Sequence, residues 1–170
     1  MASLRSRLRR LPRESPLATL VLSILCVEAV GASGSVFTAR GLDGWYETLR
    51  QPSILPPGWV FGLVWTLLFG LMGVAVWLVW RQAEESPTEV RLAAGIFAFH
   101  FVFNIGWSAV FFGMRRIGLG LLTIVVLWLL VLATVWSFSR VSRRAGVALL
   151  PYLLWVSFAT YLNYRFWVLN

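Results

Sequence analysis

PYLLWVSFATYLNYRFWVLN, residues 151–170, is long enough to cross a bilayer and is crowded with rings. A helix rises about 1.5 Å per residue, so ~20 apolar residues span a hydrocarbon core of about 30 Å. A segment that only had to sit in lipid would use Leu, Ile and Val. This one carries Tyr152, Trp155, Phe158, Tyr161, Tyr164, Phe166 and Trp167, with one amide, Asn163, and one cation, Arg165. Flat side chains in such excess call for something to face. At helical spacing Trp155, Ala159, Leu162 and Phe166 share one face, with Asn163 beside it. Ala159 leaves room between bulky neighbours.

The rest of the chain is of the same kind. Of 170 residues, 59% are hydrophobic and 13% charged, with a mean hydropathy of +0.77. A soluble domain is nearer half apolar and a quarter charged, so the composition argues for a polytopic membrane protein. Ten Trp and twelve Phe exceed what interfacial belts require. Five apolar stretches, about 16–38, 58–80, 92–113, 118–138 and 147–168, each approach membrane length. They predict an all-α bundle of five transmembrane helices forming a single domain over 16–170, behind a basic tail, MASLRSRLRRLPRES, at 1–15. The tail resembles the first part of a signal peptide. No small-residue cleavage site follows, and the next apolar run is long enough to span, so it reads as retained.

All fifteen basic residues are Arg, and the net charge is +8. They are scattered through short loops between apolar spans, which points to membrane orientation and not to nucleic acid. With five spans, the side shared by the tail and the second and fourth loops holds most of them, among them Arg81, Arg91, Arg140, Arg143 and Arg144. The positive-inside rule then places the N-terminus in the cytoplasm and Asn170 outside. All-helical spans and a retained tail favour the inner membrane of a bacterium. Cys26, the single cysteine, lies in an apolar run, so neither a disulfide framework nor a Cys-based metal site is available.

Polar residues inside spans carry most of the functional information. Glu28 is the only acid in a predicted span and by default is functional, though its partner cannot be read from the sequence. Gly31 and Gly34 beside it allow close helix contact; the pairs Gly58/Gly62 and Ala94/Ala98 favour helix association weakly. The first loop ends in WYETLRQPSILPPGWVFGLVW, residues 45–65, where Pro56 and Pro57 suit a first helical turn. Trp45 and Trp59 fit an interfacial belt. Trp65 lies ~12 Å inside the helix, too deep for one. In the third span His100, Asn104, Trp107 and Phe111 share a face. A histidine and an amide in a membrane must find partners, either in an interhelical hydrogen bond or at the polar wall of a cavity. One His without a second His, a carboxylate or a Cys at ligand spacing argues only weakly for a metal or haem site. By depth, Trp65, Asn104, Trp107 and Asn163 share the outer half, with His100 and Trp155 near the midplane. Three helices thus bring Trp and amides to compatible levels, the pattern of an aromatic pocket with a few polar anchors.

WYETLRQP, PPGWVFGLVWTLLFGLMG, FNIGWSAVFFG and PYLLWVSFATYLNYRFWVLN, in this order, resemble the TspO/MBR family, the tryptophan-rich sensory proteins related to the mitochondrial translocator protein (peripheral benzodiazepine receptor). The resemblance covers Trp45 to Asn170. It implies a five-helix bundle with a cavity beneath the loop between helices one and two, binding of porphyrins and of sterol-like or drug ligands, and a homodimer. Carried over by position, it implies pocket residues Trp65, Asn104, Trp107, Trp155, Ala159 and Leu162, with Trp45 and Tyr46 near the mouth. It also implies a link between Trp65 and Trp155 and light-dependent breakdown of protoporphyrin. Two departures stand out. Many relatives have Gln where this chain has His100, and the animal cholesterol-recognition motif ends in Arg where this chain has Val168.

Three functions follow as expectations. The first is a membrane protein that binds a tetrapyrrole as ligand, not as cofactor, for sensing, transport or regulation. The second is an enzyme degrading protoporphyrin with light and oxygen; the chain offers no acid/base pair, activated nucleophile or metal cluster for other chemistry. The third is a sterol-binding or scaffold protein whose aromatic stripes are interhelical packing. If His100 faces the cavity, ligand binding should vary between about pH 5 and 8.

Overall fold

The structure, a computed structural model, describes residues 4–42 and 44–170. Among these residues every regular element is helical: α1 (Leu4–Glu14), α2 (Pro16–Ala32), α3 (Ser35–Leu42), the single turn α4 (Trp45–Thr48), α5 (Gly58–Trp80), α6 (Pro87–Ser108), a π turn (Ala109–Gly113), α7 (Ile117–Val141), α8 (Arg143–Ala148) and α9 (Leu150–Leu169). They make five spans long and apolar enough to cross a membrane: Pro16–Leu42, Gly58–Trp80, Pro87–Gly113, Ile117–Val141 and Arg143–Leu169. The chain is an integral membrane protein, a five-helix bundle.

Several boundaries differ from those read off hydropathy. The third span begins at Pro87, ahead of the apolar stretch, because a proline at the first helical position loses nothing by lacking an N–H. Pro57 is the N-cap of α5, in extended conformation, so the Pro56–Pro57 pair lies just outside the helix and not in its first turn. The basic tail is itself the helix α1 from Leu4 onwards. It lies across the loop after the second span: Arg10 pairs with Glu84 at 3.1 Å, Arg13 pairs with Glu84 and Glu85, and Trp80 Nε1 donates to the Leu8 carbonyl at 3.0 Å. Exposed pairs of this kind contribute about 0–1 kcal/mol each.

Two glycines and a helix break shape the space between the first two spans. Gly73 brings the first and second spans into backbone contact; a Cβ there would lie 2.5 Å from the Ile24 Cα. The first span then breaks at Ser33–Gly34. The Ser33 and Ser35 hydroxyls donate to the carbonyls of Val30 and Ala32, both at 2.6 Å, giving this stretch local alternatives to a continuous helix. Beyond the break, α3 leaves the second span and packs on the π turn of the third. Gly41 permits this approach, since a Cβ there would fall 2.6 Å from the Phe112 Cβ. Gly58 and Gly62, by contrast, have open space where a Cβ would be, so they mediate no close helix contact. Packing tight at Gly73 and diverging after Ser33 leaves a wedge between the first two spans.

Away from that wedge the core is closed. Met72, Ile124, Leu127, Phe138, Tyr152 and Val156 are buried where the second, fourth and fifth spans meet. The fourth span, α7, packs on both α6 and α9. Gly120 lets Phe111 of the π turn approach it, with a Cβ position 3.0 Å from the ring.

Candidate ligand cavity

The wedge is a cavity of ≈ 720 Å³. Its aromatic walls are Phe61, Trp65 and Phe69 from the second span and Trp107 and Phe112 from the third. Tyr46, Gln51 and Pro56 close it on the loop side, and Glu28, Ser35 and Thr38 line it along the first span. The volume falls within the ~300–1,000 Å³ typical of small-molecule sites.

Local sequence explains how each wall is set. Trp65 stacks tilted on Phe69, one turn on, at 5.3 Å, and meets Tyr152 edge-on at 6.2 Å, so its ring is held from behind. Trp107 donates Nε1–H to Asn163 Oδ1 at 2.9 Å, and Asn163 Nδ2 donates to the Ile117 carbonyl at 3.1 Å. That chain ties the third, fourth and fifth spans together. The π turn adds a residue to the end of the third span, where Met114 N donates to the Ala109 carbonyl at 2.8 Å. It carries the adjacent rings Phe111 and Phe112 in edge contact at 4.9 Å; Phe111 is buried in the bundle, while Phe112 lines the cavity.

The lid is anchored at its far end. Asn170 Oδ1 accepts from the Arg50 N–H at 2.9 Å, and its Nδ2 donates to the Arg50 carbonyl at 3.2 Å. Tyr46 packs on Phe112 at 5.8 Å and on Phe166 at 5.5 Å. Burial pushes its phenol up to about 12, so it remains a neutral donor through the physiological range.

Of the residues expected to form a site, Tyr46, Trp65 and Trp107 line this cavity. Trp45 stands behind it, edge-on to Phe111 at 5.9 Å. The expectation that the fifth span forms a wall is corrected: none of its residues lines the cavity. Ala159, Leu162 and Asn163 are buried in the bundle, because the small and amide face of α9 packs against α7. Trp155 lies behind Phe61 at 5.6 Å, beside a shallow groove between the second and fifth spans whose Leu67 and Leu154 are exposed.

Asn104 and His100 are corrected in the same way. Asn104 Nδ2 donates to the Tyr152 hydroxyl at 2.8 Å, an interhelical hydrogen bond away from the cavity. His100 has no exposed surface and shares a 3.2 Å hydrogen bond between its Nδ1 and the Thr134 hydroxyl. Phe97 and Tyr152 pack against its ring at 5.0 and 5.6 Å. The premise for a pH-dependent cavity wall at His100 is therefore absent. A shared helix face gave the right neighbours for these residues but could not say which cavity, if any, that face meets.

The sequence reading missed the first span. Glu28, flagged for its charge alone, stands on the cavity wall with the small residues Gly31, Gly34 and Ser35 that follow it. Gly31 and Gly34 do allow close contact, as expected: a Cβ at Gly31 would fall 2.5 Å from the Phe69 ring, and one at Gly34 3.7 Å from the Ser108 hydroxyl. Phe61, Phe69 and Phe112 were hidden among many equivalent phenylalanines.

The model of the TspO/MBR family matches residues 23–168. The tryptophan-rich protein TspO of Chlorobaculum tepidum is 45% identical over 152 residues, covering 89% of this chain and 96% of that protein. The tryptophan-rich sensory protein of Cereibacter sphaeroides is 39% identical, over 88% of this chain and 91% of its own. The human translocator protein is 35% identical, over 72% and 73% respectively. With five membrane-length helices and a family match across nearly all of them, the chain belongs to the TspO/MBR family.

Proposed function

We propose that this protein binds a flat, largely apolar tetrapyrrole of the protoporphyrin type in the cavity between its first three spans, and acts in tetrapyrrole sensing, transport or regulation. The observation that carries this reading is the ≈ 720 Å³ cavity walled by Trp65, Phe69, Trp107 and Phe112 beneath a pinned loop. Aromatic faces suit a planar ring system, and offset or edge contacts with such rings stabilise by about 0.5–1.5 kcal/mol each beyond area burial. The porphyrin is a ligand in this reading, not a resident cofactor. The N-terminus lies in the cytoplasm and the loop over the cavity lies outside, as the arginine distribution favours. A bacterial inner membrane and a homodimer complete the proposal, the latter by resemblance to the family's bacterial members.

The test is titration of purified protein with protoporphyrin in the dark, followed by tryptophan fluorescence. Saturable quenching that weakens in Trp65→Ala and Trp107→Ala supports the reading; linear quenching equal to that of empty micelles refutes it. Illuminating the complex in air then addresses degradation. Bleaching no faster than porphyrin in detergent alone removes the enzymatic alternative. Normal bleaching by Trp155→Phe removes any chemical role for that ring.

A further inference from the structure

We infer that Glu28 is the polar anchor of the cavity and fixes which end of a ligand goes in first: an N–H-bearing or cationic group points inward to Glu28, and acidic groups point outward to the loop. This rests on the cavity being the ligand site. Glu28 lines the cavity at the end opposite the loop. Along α5 the walls run from Gly58 at the mouth to Phe69 near Glu28, about 16 Å at 1.5 Å per residue. The carboxylate lies over Gly70, with Oε1 3.7 Å from where a Cβ would be, so the absence of a side chain there leaves it unobstructed.

No hydrogen bond or ion pair joins Glu28 to another described residue, and no arginine reaches the cavity walls. Three of the hydroxyls along the walls are committed to backbone carbonyls of their own helices. Ser35 donates to the Ala32 carbonyl at 2.6 Å, Thr66 to the Gly62 carbonyl at 3.0 Å and Thr38 to the Gly34 carbonyl at 3.5 Å. Glu28 is thus a strong acceptor, at membrane depth, with no donor from the protein. A carboxylate in that position is costly unless water or a ligand satisfies it. A protonated amine or an N–H group on the ligand's edge would do so. A ligand carboxylate would be repelled by it and would favour the mouth, where Gln51 offers a neutral amide.

Two acridines of the same ring size, one carrying an amine and one a carboxylate, separate the alternatives. Each is titrated against wild type, Glu28→Gln and Glu28→Asp in uncharged detergent, alongside protoporphyrin. Wild type should favour aminoacridine, and Glu28→Gln should lose about tenfold or more of that affinity while gaining for the carboxylate, as expected for one charge-assisted hydrogen bond. Glu28→Asp should keep the preference. An aminoacridine affinity unchanged in Glu28→Gln, or no saturable aminoacridine binding by wild type, overturns the inference. Aminoacridine selectivity that depends on Glu28 supports it even where protoporphyrin fails to bind, in which case only the tetrapyrrole reading falls.

Discussion

Replacing Gly73 by Ala tests the geometry on which the cavity depends. Gly73 is the point where the first two spans touch backbone to backbone. A Cβ there would stand 2.5 Å from the Ile24 Cα and 2.9 Å from the Ile24 nitrogen, whereas ordinary contact begins at 3.4 Å. No side-chain rotation relieves a clash with backbone, so the spans must separate by about 1 Å near Gly73. Overpacking of this size costs about 1–3 kcal/mol. Intrinsic helix propensity works the other way, favouring Ala over Gly by about 0.8–1.0 kcal/mol. Gly62→Ala supplies the control, since nothing lies within 4 Å of a Cβ at that position. The two substitutions should therefore differ in sign: Gly62→Ala neutral or slightly stabilising, Gly73→Ala destabilising. At about 2–4 °C per kcal/mol for a chain of this length, the expected loss is several degrees in a thermal scan in detergent. Porphyrin affinity should change with Gly73→Ala, because the wedge widens from its closed end. Equal melting temperatures for the two variants would refute the claim that Gly73 holds these spans together.

Trp107→Phe should lower stability by about 0.6–2 kcal/mol, because Asn163 Oδ1 loses its indole donor inside the bundle; an unchanged thermal midpoint would show that the bond contributes nothing. His100→Gln should leave porphyrin affinity and its profile between about pH 5 and 8 unaltered, since the ring faces Thr134; a changed profile would put it back at the ligand. Asn170→Ala should speed tryptic cleavage after Arg50, whose N–H and carbonyl the amide holds, and an equal cleavage rate would mean that the loop is pinned elsewhere. Tyr46 should ionise late. Its phenol holds its proton to about 12 in the folded chain but to about 10 when unfolded, so its contribution makes stability fall as pH rises between those values. Tyrosinate absorbance of wild type minus Tyr46→Phe measures this, and a transition near 10 in the difference would contradict the burial.

The amino-acid sequence by itself determined the class and count of elements. Twenty-residue apolar runs have one stable form in lipid, because every backbone N–H and carbonyl must be satisfied within the segment. The motif order from Trp45 onwards carried the family. Depth arithmetic also brought out Trp65, since a tryptophan two turns inside a span has left the interface, and helical spacing brought out Trp107 on the face of His100 and Asn104.

What the sequence could not give was which faces meet. Asn104, His100 and Trp107 lie on one stripe of one helix. Yet Asn104 bonds Tyr152, His100 bonds Thr134, and only Trp107 also reaches the cavity. The aromatic segment 151–170, chosen for its rings, proved to be the buttress behind the cavity: Asn163 holds Trp107, and Trp155 backs Phe61. Tertiary structure decided this through the break at Ser33–Gly34 and the contacts at Gly41 and Gly73, which turn the first span away from the second. Where two helices diverge is a property of their packing partners, and it put Glu28 beside open space that no periodicity in its own helix encodes.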